Sequence, residues 1–169
     1  MLHDRAKRFD MEPQNRHFNM SVNMFVGFWA KAGVGLECSL LVTGHSMRPF
    51  LYHNRSVVFI VKKQHYEHRK GDIVLFQRDT GDIVLHRILC VSTKGTLLVN
   101  GDAQNWTETI RPAQVCAQVT RIRRKTRTVS VRNPVYRLCV AVWIRLFPVR
   151  PFLFWLRARL PKRKNGVCG

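Results

Sequence analysis

The sequence predicts a mainly β fold, a coiled sheet or partial barrel, with a short N-terminal helix and a C-terminal basic amphipathic helical segment. Three observations carry this. From Glu37 the hydrophobic period becomes two and stays so to about residue 131. Turn signals interrupt that stretch at short intervals, at His53-Asn54, Lys70-Gly71-Asp72, Thr80-Gly81-Asp82, Lys94-Gly95 and Gly101-Asp102. On both flanks the apolar residues recur every three or four positions.

Taken in order, residues 1–17 are polar and mixed in charge, with Asp4, Asp10 and Glu12; they read as a flexible start and not as a cleavable signal peptide. Residues 18–33 place Phe18, Val22, Phe25, Val26, Trp29 and Ala32 on one helical face, ended by Gly33 and Gly35. Residues 34–131 form the β body, with strand-like runs at 37–43, 56–62, 72–77, 82–91, 95–100 and 115–131. Short strands without long alternating helices argue for a barrel or coiled sheet. Residues 132–169 form a basic tail. Leu138, Val142, Leu146, Val149, Leu153, Leu156 and Leu160 make its apolar stripe, arginines interrupt it, and Pro148 and Pro151 break or kink it.

A chain of 169 residues with 46% hydrophobic content is long enough for one domain with a real core and is not a disordered chain. No uncharged apolar stretch is long enough to cross a bilayer. The net charge of +19 is unevenly spread: residues 1–108 hold 14 basic and all 10 acidic residues, whereas residues 109–169 hold 15 basic residues and no acid. A tail of this kind meets phosphates, on lipid or on nucleic acid. Its leucines, valines and phenylalanines favour lipid, so residues 134–160 are expected on an anionic membrane surface, as a peripheral element on the cytoplasmic side; the alternatives are a basic helix folded back on the β body and a cytoplasmic protein, and nucleic acid is the lesser expectation. The five cysteines, Cys38, Cys90, Cys116, Cys139 and Cys168, are odd in number and show no CxxC spacing, which predicts buried free thiols and no metal centre. No cofactor is expected.

The chemistry lies in three segments. Gly44-His45-Ser46-Met47-Arg48-Pro49 turns sharply after a strand, where Ser46 can present its hydroxyl beside free backbone N–H groups. In Ile83-Val84-Leu85-His86-Arg87-Ile88, alternation sets Val84 and His86 on one face and Ile83 and Leu85 on the other. Gly101-Asp102 follows a strand end, with Glu108 six residues on. Gly-x-Ser-Met-x-Pro, then Gly71-Asp72-Ile73-Val74-Leu75-Phe76, then His86-Arg87-Ile88, then Gly101-Asp102 resembles, in that order, the type I signal peptidase clan, serine endopeptidases that include the self-cleaving LexA-type repressors. The resemblance covers about residues 33–125. Most bacterial members pair the serine with a lysine; His86 at that position is similar to the endoplasmic-reticulum and archaeal branch.

The resemblance implies a signal-peptidase-like β catalytic domain that cleaves leader or precursor peptides. Ser46 would be the nucleophile, His86 the general base and then acid, and Glu108 or Asp102 the orienting acid. The branch carries Asp where Glu108 stands. An adjacent base is what makes a serine hydroxyl nucleophilic, and a carboxylate on the other ring nitrogen fixes the tautomer. The backbone at Ser46 and Gly44 would stabilise the oxyanion, and the peptide would lie beside Ile83 and Leu85. Arg87 is expected to pair with an acid of the Gly101-Asp102 block, and Gly71-Asp72 to be a structural turn. The alternatives are a non-catalytic peptide-binding module of the same fold and a basic nucleic-acid-binding protein.

Overall fold

The structure, a computed structural model, describes residues 27, 29, 31–150 and 152. Expectations for residues 1–26 and for most of the tail beyond 150 fall outside them. Eight strands form one open antiparallel sheet: β1 (Glu37–Leu41), β2 (Ser56–Val61), β3 (Ile73–Gln77), β4 (Ile83–Val91), β5 (Leu97–Asn100), β6 (Glu108–Ile110), β7 (Val115–Arg124) and β8 (Arg127–Ser130). Their order is β1-β2-β7-β3-β4-β5-β6, with β8 paired to β7. The sheet does not close into a barrel. Bulges between Phe59 and Ile60, at Leu75 and Phe76, and between Ile88 and Cys90 add local twist and bend it.

The sheet carries two cores. In β3 the alternation sends Ile73 and Leu75 into one core, with Leu51, Val58, Ile60, Ala117 and Val119. It sends Val74 and Phe76 into the other, with Ile88, Leu97, Val99 and Ile110. β3 is therefore buried on both faces, which explains its unbroken apolar run.

Two sequence expectations change. The long run at 115–131 is a hairpin: Lys125, at φ 53°, turns the chain between β7 and β8. β6 lies outside the expected strand runs, because three residues carry no period; pairing of Leu97–Val99 with Glu108–Ile110 defines it. At the N-terminal flank Gly27, Trp29 and Lys31 are helical, and Trp29 is buried with its indole N–H on the Cys116 carbonyl. The thiols also depart from expectation. Cys38 and Cys116 are half-buried, while Cys90 and Cys139 are exposed, since their strand and helix present them outward.

The C-terminal helix α1 (Pro134–Arg145) starts where Asn133 Oδ1 accepts the Tyr136 N–H, with Pro134 in the first turn. A 3₁₀ turn at Phe147–Val149, containing Pro148, follows it. The helix lies on the β body through Tyr136, Val140 and Trp143. Among the described residues no helix is long and apolar enough to cross a membrane.

Candidate active site

The turn carrying Ser46 is held from below. Val42, Met47 and Leu51 are buried around it, and the Leu51 N–H donates to the Met47 carbonyl. Gly44 adopts φ 87°, a left-handed conformation that disfavours a side chain. Its N–H donates to His53 Nδ1 at 3.0 Å, and His53 stacks on His45. The expected oxyanion donor at Gly44 is thus already engaged, and Gly44 contributes the bend. Among the described residues no acceptor meets the Ser46 N–H.

The Ser46 turn sits against the Gly101-Asp102 block. The Ala103 N–H donates to the Ser46 carbonyl at 2.7 Å. A Cβ on Gly101 would stand 2.9 Å from that same carbonyl, closer than real Cβ contacts, so only glycine allows the approach. Asp102 itself is fully buried and forms a two-pronged pair with Arg87, at 2.8 and 2.7 Å. Arg87 also donates to the Gly71 carbonyl and to the Tyr136 hydroxyl. Asp102 and its ion pair raise the Arg87 pKa despite the opposing cost of burial. A buried carboxylate forked onto a buried guanidinium is a structural joint.

Glu108 occupies the other position. As the first residue of β6 it pairs with Val99 on β5, and it reaches past the end of β5 to β4. Its Oε1 lies 2.9 Å from Nδ1 of His86, which is buried. The oxygen stands off the ideal N–H direction, so Nδ1 has no fully aligned hydrogen bond. Arg78 grips the same carboxylate with Nε and Nη2, at 2.9 and 3.0 Å. Nothing in the sequence singles out Arg78: it sits on the β3–β4 turn, 30 residues from its partner. The His86 ring rests against Phe76 and meets the edge of Trp106.

Burial pushes the His86 pKa below its usual value. Glu108 works against that shift, and the Arg78 charge adds to it. The ring is therefore neutral at neutral pH and free to accept a proton. No hydrogen bond joins the Ser46 hydroxyl to the His86 ring among the described residues; such bonds often tighten only when substrate binds.

β4 supplies a second feature. It pairs with β3 from Ile83 to Arg87, but with β5 only from Arg87 onward. Residues 83–86 thus have one strand edge without a partner among the described residues. Ile83 and Leu85 are half-buried there, packed against the first core. Among the described residues no cluster of side chains could hold a metal ion. The chain matches no protein-family model, no curated protein and no solved structure at a significant level of similarity.

Proposed function

We propose that the chain is a serine endopeptidase in which Ser46 attacks, His86 transfers the proton and Glu108 holds the imidazole. The observation that carries this reading is the buried His86 with the Glu108 carboxylate 2.9 Å from Nδ1, next to an open strand edge. In the first step the Ser46 hydroxyl adds to the scissile carbonyl as its proton passes to His86, and the Ser46 N–H faces the oxyanion. The imidazolium then protonates the leaving amine and an acyl-serine remains. A water molecule, deprotonated by His86, releases the acid. Glu108 stabilises the charged ring in both half-reactions. Asp102 stays with Arg87 and takes no part.

The substrate in this reading is an extended leader or precursor peptide, added as a strand along residues 83–86, where main-chain hydrogen bonds give affinity. The test compares wild-type protein with Ser46→Ala on a library of leader-like peptides in mild detergent, products being identified by mass spectrometry. Loss of cleavage in Ser46→Ala, with peptide still bound, is the expected result. Equal cleavage by both proteins, or binding without cleavage by wild type, would turn the assignment to a peptide-binding module.

A further inference from the structure

Between α1 and the β7–β8 hairpin lies an open groove of about 990 Å³. Its floor is apolar and aromatic: Phe50, Tyr52, Ile122, Val129 and Tyr136. Its rim is cationic, with Arg55 on one side and Lys125 and Arg127 on the hairpin. Among the described residues none of these three cations meets a carboxylate. Arg124 fastens the hairpin to the turn after Ser46, donating to the Pro49 and Phe50 carbonyls. Every residue of β8 is exposed, so the hairpin stands out from the body.

The apolar surface does not stop at the groove. Cys139 lines it, and on the same side of α1 the helix exposes Val135, Leu138 and Val142, at 68%, 66% and 52%. Helical spacing of three and four makes these one stripe over the crest of the helix. A ligand that contacted phosphates alone would leave that stripe in water, and a peptide in the groove would not cover the crest. A broad anionic and apolar boundary covers both, and the absence of any acid from residue 109 onward removes repulsion from it.

We propose that the groove, the hairpin cations and the outer face of α1 form one docking surface for an anionic phospholipid bilayer. The hairpin cations sit at the headgroup phosphates, and Val135, Leu138 and Val142 enter the acyl boundary. The assignment does not depend on peptidase chemistry.

The test is co-sedimentation of the full chain with vesicles of phosphatidylglycerol and phosphatidylcholine, against vesicles of phosphatidylcholine alone. Binding to the anionic vesicles is expected to be far stronger and to weaken with salt. Cations beyond residue 150 add to overall binding, so variants of the surface itself decide the matter. The triple change Arg55→Glu, Lys125→Glu and Arg127→Glu is expected to lower partitioning about a hundredfold, each cation near an anionic surface contributing roughly fivefold. Lys94→Glu, on the distant β4–β5 turn, is expected to change it little. Val135→Ser, Leu138→Ser and Val142→Ser together keep the charge and are expected to lower it about tenfold or more. All these positions are exposed, and circular dichroism checks the fold of each variant. Binding of the hairpin variant at wild-type strength, or equal binding to both vesicle types, overturns the proposal. So does binding to duplex DNA that falls in the hairpin variant while the apolar variant binds both DNA and vesicles normally.

Discussion

Two charged neighbours act on His86, and they oppose each other. The Glu108 carboxylate favours the charged form of His86, yet Arg78 shares it and pushes the same ring toward neutrality. Removing the charge but not the shape, by Glu108→Gln, leaves the tautomer and the imidazolium unsupported. The expected loss in kcat is about 10³- to 10⁴-fold, read by steady-state cleavage assays. Arg78→Ala acts the other way on the pH profile. Burial and Arg78 both lower the His86 pKa, so the proposed peptidase activity is expected to rise to its plateau with a midpoint below the ordinary value of about 6.5. Without Arg78 that midpoint moves up. A kcat/KM profile whose acid limb does not shift in Arg78→Ala would count against Arg78 as the tuning group. Gly101→Ala probes the remaining contact, because its methyl would press on the Ser46 carbonyl. Peptide cleavage should fall more than tenfold, as misplacement of about an ångström costs this much or more, while circular dichroism stays that of the wild type. Of these residues, Ser46, His86, Glu108 and Asp102 stand out in the sequence through the ordered motifs and the family resemblance those motifs carry; Ser46, Asp102 and Glu108 lie at turns or a strand end, whereas His86 lies within β4. Which acid reaches the ring is not legible. It depends on β6, a strand of three residues defined only by its neighbour, and Arg78 comes from a turn whose partner is distant in the chain.

At the scale of elements, the β strands follow from alternation, and their ends from glycine. Gly71, Gly81 and Gly95 all take positive φ where the sequence signals turns. The turn that splits 115–131 escapes notice because Lys125 carries it with neither glycine nor asparagine beside it. The tail is the larger lesson. Its arginines look like headgroup cations, yet Arg150 is fully buried. It donates to Asn100 Oδ1, to the Asp102 carbonyl and to the Trp143 carbonyl, and stacks on Trp143 and Phe147. Trp143 donates its indole N–H to the Asp102 carbonyl as well. The C-terminal segment is thereby tied to the loop on which the Ser46 turn rests, a tie that periodicity cannot reveal because its partners are loop carbonyls. Replacing Arg150 by Met removes the donors to Asn100 Oδ1 and the Trp143 carbonyl, and leaves the Asp102 carbonyl with the Trp143 indole alone. The cost is expected near 3 kcal/mol, seen as a fall in Tm of roughly 10 °C. Arg150→Lys should recover only part, since an ammonium cannot span the same fork. A Tm unchanged in Arg150→Met would mean that the tail does not brace the body.

At the scale of the whole molecule, two separate effects make acid unfavourable, and they respond differently to salt. The chain carries +19 at neutral pH, so protonating carboxylates and histidines adds self-repulsion, which salt screens. His86 adds a local effect. Its folded pKa is lowered, chiefly by burial, so below the ordinary histidine value the unfolded chain binds a proton that the folded one resists. Its contribution is whole above about pH 6.5 and is lost as the pH falls toward the lower value of the folded state. His68, shifted the same way by burial, loses stability over the same range. Asp72 has the opposite sign. Burial raises its pKa, so the folded chain takes up the proton first and stability is regained as pH falls through that lower, carboxylate range. The urea midpoint is therefore expected to fall between pH 7.5 and 5.5 at low salt, and to fall less, but still measurably, at high salt. The part that survives salt belongs to buried groups, and His86→Gln should shrink it because the glutamine has no proton to gain. If high salt abolished the whole difference in the wild type, the loss would be surface repulsion alone, and His86 would not be the buried neutral base that the catalytic reading requires.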